Sequence, residues 1–240
     1  MGFSNTYEDA AYADAYATLE LASTYYLAYR DLPWLIRTHV GGRRAVDFGC
    51  GAGRSTRFLR SLGFETVGID ISERMIQRAL ATDPGGDYRL IEEGRFDQLG
   101  TGGYDLVLCA FTFDNIPTLE RKVGLFTSLG GLLNKQGRIV SLVSAPEIYT
   151  HEWASFSTMD FPENRQARSG DTVRIVVTDI DDRRAVEDVL WTDEAYQQVY
   201  QEAGLEPVET HKPLAHESEP FPWVNETRIS PWTIYVLKRP

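Results

Sequence analysis

Between Arg44 and Val143, short apolar runs alternate with stretches whose apolar residues return every three or four positions, the periods of a buried strand and an amphipathic helix. Arg44–Phe48 reads as a buried strand, Gly49–Gly53 as a tight glycine turn and Arg54–Leu62 as a helix. Strands at Thr66–Asp70, Tyr88–Ile91, Tyr104–Phe111 and Arg138–Val143 follow, with helices over Ser72–Ala81 and Pro117–Leu133. This rhythm predicts a doubly wound α/β fold, a mostly parallel sheet with right-handed crossovers placing helices on both faces. Lead-in helices are expected over Tyr7–Leu21 and from Asp31 past Pro33 to Thr38.

After Pro146 the period changes. Thr172–Thr178 and Arg184–Trp191 alternate polar and apolar residues around the Asp-rich turn Asp179–Asp182, which reads as an antiparallel hairpin inserted in the sheet topology. Thr192 and Asp193 start a helix, Gly204 stops it, and Glu206–His211 and Thr233–Lys238 supply two last strands joined by a Pro-rich loop, Lys212–Pro231. No internal repeat or low-complexity segment interrupts the pattern.

At 240 residues the chain is long enough for one decorated domain. No apolar run approaches the roughly 18 residues of a membrane span. The start Met1-Gly2-Phe3-Ser4-Asn5 lacks a secretory pattern, and only Cys50 and Cys109 are available for pairing, so a reducing cytoplasm is the expected compartment. Both cysteines end apolar runs and read as small buried hydrophobes; no metal-ligand spacing is present. A net charge of −11 argues against a nucleic-acid partner. Arg54, Arg57 and Arg60 read as the solvated edge of a helix.

The most informative segment is Ala45-Val46-Asp47-Phe48-Gly49-Cys50-Gly51-Ala52-Gly53, with Val67-Gly68-Ile69-Asp70-Ile71-Ser72 following about twenty residues later. Glycines after a first strand let backbone approach a ligand, and a carboxylate at the tip of the second can accept both hydroxyls of a ribose. A dinucleotide fingerprint would place glycine where Arg54 stands, so the pattern departs from that class. Met75 and Gly53 also have packing readings, as core and as helix-to-strand contact. A carboxylate closing an apolar strand needs a partner, which singles out Asp70.

The D-F-G-C-G-A-G turn resembles the first motif of class I S-adenosylmethionine-dependent methyltransferases, and G-I-D-I-S resembles their acidic second-strand motif. Tyr104-Asp105-Leu106-Val107-Leu108 resembles the family's fourth strand and Leu133-Asn134-Lys135-Gln136-Gly137-Arg138 the turn into its fifth. The resemblance implies a Rossmann-like, mostly parallel seven-stranded sheet with an antiparallel C-terminal strand. It also implies one domain, made of an N-terminal helical lid (1–42), a cofactor-binding core (43–145), a β-hairpin cap insertion (146–191) and C-terminal core strands (192–240). S-adenosylmethionine would lie with its methionine portion on Gly49, Cys50 and Gly51, its ribose on Asp70 and its adenine under Ile71 and Met75. The backbone of Gly94, Arg95 and Phe96 would meet the adenine amine, with Ala110 and Phe111 completing the set. A lid like that of related enzymes would bring Tyr7 and Tyr25 over the cofactor and Arg30 to its carboxylate.

Ligands of such sheets bind beyond the carboxyl ends of the strands, which makes Phe113, Asp114 and Asn115 candidates for the methyl acceptor, together with Tyr149 and Trp153 as aromatic walls. His151 is the candidate general base, although a loop histidine also reads as merely solvated or structural. The expected activity is methyl transfer to nitrogen or oxygen of a small aromatic or heterocyclic metabolite, by a monomer or homodimer without membrane or nucleic-acid partners. Nitrogen is favoured because no firm base stands out. A non-catalytic cofactor-binding sensor or partner subunit and a nicotinamide-dependent oxidoreductase are the competing readings.

Overall fold

The computed structural model describes residues 22–240; the helix expected over Tyr7–Leu21, and Tyr7 with it, lies outside these residues. Two helices lead in, α1 (Ser23–Arg30) and α2 (Leu32–His39). The core then runs β1 (Arg44–Phe48), α3 (Arg54–Ser61), β2 (Glu65–Asp70), α4 (Glu73–Thr82), β3 (Asp87–Leu90), β4 (Tyr104–Ala110), α5 (Leu119–Leu132) and β5 (Leu133–Ser144). Beyond it come β6 (Phe156–Ser157), β7 (Thr172–Val177), β8 (Ala185–Val189), α6 (Asp193–Glu202), β9 (Glu206–His211) and β10 (Trp232–Lys238).

Seven strands form one sheet in the order β3-β2-β1-β4-β5-β10-β9, parallel except that β10 runs antiparallel to both neighbours. Helix starts follow the caps in the sequence: the hydroxyls of Ser72, Thr118 and Thr192 accept from Met75, Arg121 and Ala195 N at 3.4, 3.3 and 3.3 Å. The expected hairpin forms as an insertion between β5 and α6. β7 and β8 join β6 in a separate antiparallel sheet of three strands, and β7 shows why the pair packs as it does. Its Val173, Ile175 and Val177 all face one way into the core, while Thr172 and Arg174 face out. A two-residue strand such as β6 carries too little periodicity to be read.

The central strands are buried on both faces, and alternate side chains divide between two cores. On β4, Leu106 and Leu108 meet α1, α2 and the small sheet, whereas Val107 and Cys109 meet α5 and α6. On β10, Trp232, Ile234 and Val236 join the first core and Tyr235 and Leu237 the second. Both cysteines are buried and unpaired, and burial raises their thiols well above the ordinary range. Among the described residues no helix is long and apolar enough to cross a membrane.

One buried carboxylate joins α1, the segment between β5 and β6, and the long loop before β10. Glu226 is fully buried; its Oε1 accepts from Thr24 Oγ1 at 2.6 Å and Ala154 N at 2.7 Å, and its Oε2 from Val224 N at 2.8 Å and Asn225 N at 3.0 Å. Ser155 N donates to Thr24 Oγ1 and Trp232 Nε1 to Thr24 O, at 3.0 and 2.8 Å. In Glu226→Gln one acceptor becomes a donor facing two donors, a loss of about 2–3 kcal/mol. A fall in melting temperature of roughly 5–10 °C is expected by circular dichroism, and an unchanged melt would show that Glu226 is no anchor.

Candidate active site

The order of the sheet reverses between β1 and β4, and a cleft of about 1270 Å³, counted to its open mouth, lies beyond the strand ends there. Its floor is Gly49, Cys50, Gly51 and Ala52 of the glycine turn, with Asp70 and Ile71 at and after the end of β2, Ile91 after β3 and Ala110, Phe111 and Thr112 at and after the end of β4. Gly49 has φ +70°, and a Cβ on it would stand 2.4 Å from the Thr112 side chain, so only glycine lets these two strand ends meet. Gly53 has φ +82°, and a Cβ there would be 2.6 Å from the Tyr88 hydroxyl; its role is close helix-to-strand packing.

Asp70 is held on both sides. Its Oδ2 accepts from Gly51 N and its Oδ1 from Ser72 N, each at 2.8 Å. Burial raises this carboxyl above its ordinary range, and the two amides pull the other way. Beneath the turn, the fully buried Asp47 accepts from Ser55 Oγ at 2.7 Å and Thr56 Oγ1 at 2.6 Å through Oδ2, leaving Oδ1 without a partner. Burial pushes its carboxyl up to about 6.

The opposite wall begins with Phe111, a non-glycine residue at φ +63°, at a cost of about 1–2 kcal/mol. Its ring lies 4.8 Å from Trp232 and 5.9 Å from Tyr25, and Thr112 Oγ1 donates to Phe48 O at 2.7 Å. At the mouth, the Arg54 guanidinium sits over Tyr25 and Tyr29 at 5.4 and 6.0 Å from the ring centres, and Arg57 Nη1 donates to Ala52 O at 2.9 Å.

This arrangement agrees with three comparisons. A profile described as "Methyltransferase domain" matches residues 46–139, the stretch that builds the cleft floor. Over these residues the chain is similar to a methyltransferase domain, in line with the resemblance of its glycine turn and acidic strand end to class I S-adenosylmethionine-dependent methyltransferases. The chain is 27% identical over 146 residues to a ubiquinone biosynthesis O-methyltransferase of Burkholderia pseudomallei, a match covering 52% of this chain and 63% of the relative. The chain thus spans less than two thirds of the length of that curated relative. Among solved structures, the PH0226 protein of Pyrococcus horikoshii superposes over 100% of both chains with a TM-score of 0.66 at 15% identity. An S-adenosylmethionine-dependent methyltransferase of Clostridium acetobutylicum superposes over 98% of this chain and 99% of its own, with a TM-score of 0.63 at 12% identity. These likenesses concern the fold.

Within this core, Gly49, Cys50, Gly51, Asp70, Ile71, Met75, Gly94, Ala110, Phe111 and Asn115 all line the cleft. Other expected residues do not. Arg30 is held by Asp31 and Glu219, each at 2.8 Å, and its remaining nitrogen donates to Leu214 O, so it is not aimed at a cofactor carboxylate. Tyr25 is buried among Phe111, Phe156 and Trp232, leaving Tyr29, one turn on, as the tyrosine in the wall. Arg95 points to solvent beside Asp97, and Phe96 is buried against Phe48.

The acceptor candidates also need correction. Phe113 stacks on Phe126 in the second core at 3.9 Å, and Asp114 is buried with Ser144 N and Oγ as donors. Tyr149 is buried with its hydroxyl on Asp188, and Trp153 donates from Nε1 to Ile148 O. His151 lies on a separate hollow with Thr158, Met159 and Arg165, its Nδ1 within 3.1 Å of Glu147 O, which removes it as the base for a reaction in this cleft. The sequence reading missed Tyr29, Arg54, Arg57 and Thr112. Arg54 had a usable signal: it is the first helical residue after the glycine turn, where side chains point toward a bound ligand. Arg60, by contrast, does lie at the edge, paired with Asp83.

The state of Asp47 sets a stability prediction for the protein. A carboxyl raised from 3.8 to about 6 on folding keeps a proton that the unfolded chain releases, so its contribution is present below pH 3.8 and lost as pH rises through about 6. Asp47→Asn retains an acceptor for both hydroxyls and removes this titration. Urea unfolding at about pH 4 and about pH 7 should show the variant gaining up to about 3 kcal/mol on the wild type across that range. A constant difference between the two proteins would contradict this.

Proposed function

We propose that this chain transfers the methyl group of S-adenosylmethionine to nitrogen or oxygen of a small, flat aromatic or heterocyclic acceptor. The carrying observation is Asp70, a half-buried carboxylate fixed opposite Gly51 at the switch point of the sheet and facing the cleft. The residues fit the cofactor: Gly51 has φ +52° with nothing within 4 Å of where its Cβ would stand, so the turn leaves an open cradle beside the carboxylate. When bound, the sulfonium supplies an electrophilic methyl group.

The chain's own residues supply position. Asp70 has lone pairs for the ribose hydroxyls, and Ile71, Met75 and Ile91 offer apolar surface for the purine. Arg54, at the start of α3 and in the cleft wall, replaces Arg30 as the partner for the cofactor carboxylate. Tyr29, Phe111, Ile116 and Leu125 exclude water from the reacting end, and the Asn115 amide orients the acceptor there. No histidine is among the described residues lining the cleft, which favours an acceptor nitrogen that is neutral before it binds. The Burkholderia relative's name, an O-methyltransferase, keeps oxygen in the proposal.

S-adenosylhomocysteine and NAD, compared by thermal shift at saturating concentration, test the reading. A rise in melting temperature with the former alone is expected; no rise, or a rise with NAD, would overturn it. By calorimetry, Asp70→Ala should weaken S-adenosylhomocysteine by about 30–100-fold and Arg54→Ala by about tenfold. Arg30→Ala should leave the affinity within about twofold, because its partners are protein carboxylates.

A further inference from the structure

We propose that Lys122 is a positioning residue of the cleft, its buried ammonium holding the turn Phe111–Asn115 in the geometry that faces the ligand. This rests on the reading of the cleft given under Proposed function. Lys122, on α5, is fully buried, a rare place for a lysine. Its Nζ donates to Phe113 O, and its charge lies 4.9 Å from the ring centre of Trp191, 5.2 Å from Tyr196 and 5.7 Å from Phe113. The next residue of the turn, Asp114, accepts from Ser144 Oγ at 2.9 Å, which ties the same turn to the end of β5. On the cap side Asp188, from β8, accepts from Tyr149 Oη at 3.1 Å and acts on Lys122 through space.

The turn is thus held from a helix and from the main sheet, with Asp188 acting on the lysine that holds it. It needs to be held, because it opens on the left-handed Phe111 and delivers Phe111, Thr112 and Asn115 to the cleft, with Thr112 fitted against Gly49. Burial raises the Asp114 and Asp188 carboxyls and lowers the Lys122 ammonium, so a protonated Asp188 beside a Lys122–Asp114 pair leaves the cluster neutral. Such a cluster is a poor way to gain stability, since desolvation of buried ions often exceeds their attraction and well-packed apolar side chains would serve as well. What an apolar side chain does not offer is a directed bond to a turn carbonyl.

The test compares Lys122→Met with the charge-balanced double variant Lys122→Met/Asp114→Asn. In Lys122→Met, hydrogen exchange of the amides at 111–116 in the ligand-free protein should quicken by about tenfold or more relative to the rest of the sheet. S-adenosylhomocysteine should bind about fivefold or more weakly by calorimetry, as the competent form of the turn becomes a fraction of the population. The double variant should recover melting temperature but neither local protection nor affinity.

Recovery of all three in the double variant would mean that Lys122 only balances Asp114, and would overturn the proposal, as would wild-type exchange and affinity in Lys122→Met. If Lys122→Met does not fold, the double variant decides by the same two readings; if neither folds, Lys122 is a framework residue and the proposal fails. Should the wild-type protein not bind S-adenosylhomocysteine, the functional reading falls, and the exchange measurement still decides on Lys122.

Discussion

The hydrogen bond from Gly51 N to the Asp70 carboxylate joins the ends of β1 and β2, and the geometry of the cleft follows from it. A carboxylate closing a buried strand is costly to desolvate, and the glycine turn supplies the donor that offsets this. The same turn can approach because Gly49 and Gly53 carry no side chain, and it is supported from below by Asp47, which binds two hydroxyls of the following helix. The acidic group that would bind ribose and the turn that would receive the rest of the cofactor are therefore fixed by one local arrangement. The ligand would meet a pre-formed surface and need not organise it.

The other half of the cleft is built differently. Phe111 is held in an unfavourable conformation, and the residues that hold it come from distant parts of the chain: Trp232 and Tyr25 against its ring, Leu142 O on its amide, Lys122 and Ser144 on the two residues of the turn. Glu226 extends this dependence to α1 and the cap through Thr24 and Ala154. A site with one half set by local sequence and the other by long-range packing can retain its cofactor while its acceptor side diverges. This is consistent with a family profile that matches 46–139 and stops before the cap.

That division also accounts for what the sequence made legible. The strand-helix core, the start of α6 at Thr192, and the cleft floor from Gly49 to Met75 depend on periodicity and on residues close in the chain, and these were readable. Arg30 and Arg54 could not be distinguished by composition: each is an arginine at a helix end, and only the fold places Glu219 beside the first and the cleft beside the second. Tyr25 and Tyr29 share one helical face four residues apart and are both buried, and the position of Trp232 decides which of them reaches the cleft wall. His151 and Tyr149 follow β5 as expected, but contacts such as Asn164 Nδ2 to Tyr149 O at 2.9 Å turn that segment away from the cleft.

The net charge of −11 appears at odds with a site that presents two guanidinium groups, yet the two act over different ranges. Exposed charges are screened within about 8–10 Å at physiological ionic strength, so the acidic surface governs encounters with large polyanions and has little hold inside the cleft. There Arg54 lies against two aromatic rings, which limit its hydration and orient its plane. A small zwitterionic ligand would meet that local field at the cleft, whereas a long polyanion would span the acidic exterior as well. An acidic exterior and a local cationic site for a small carboxylate are thus compatible on one surface, because each charge acts only over its own screened range.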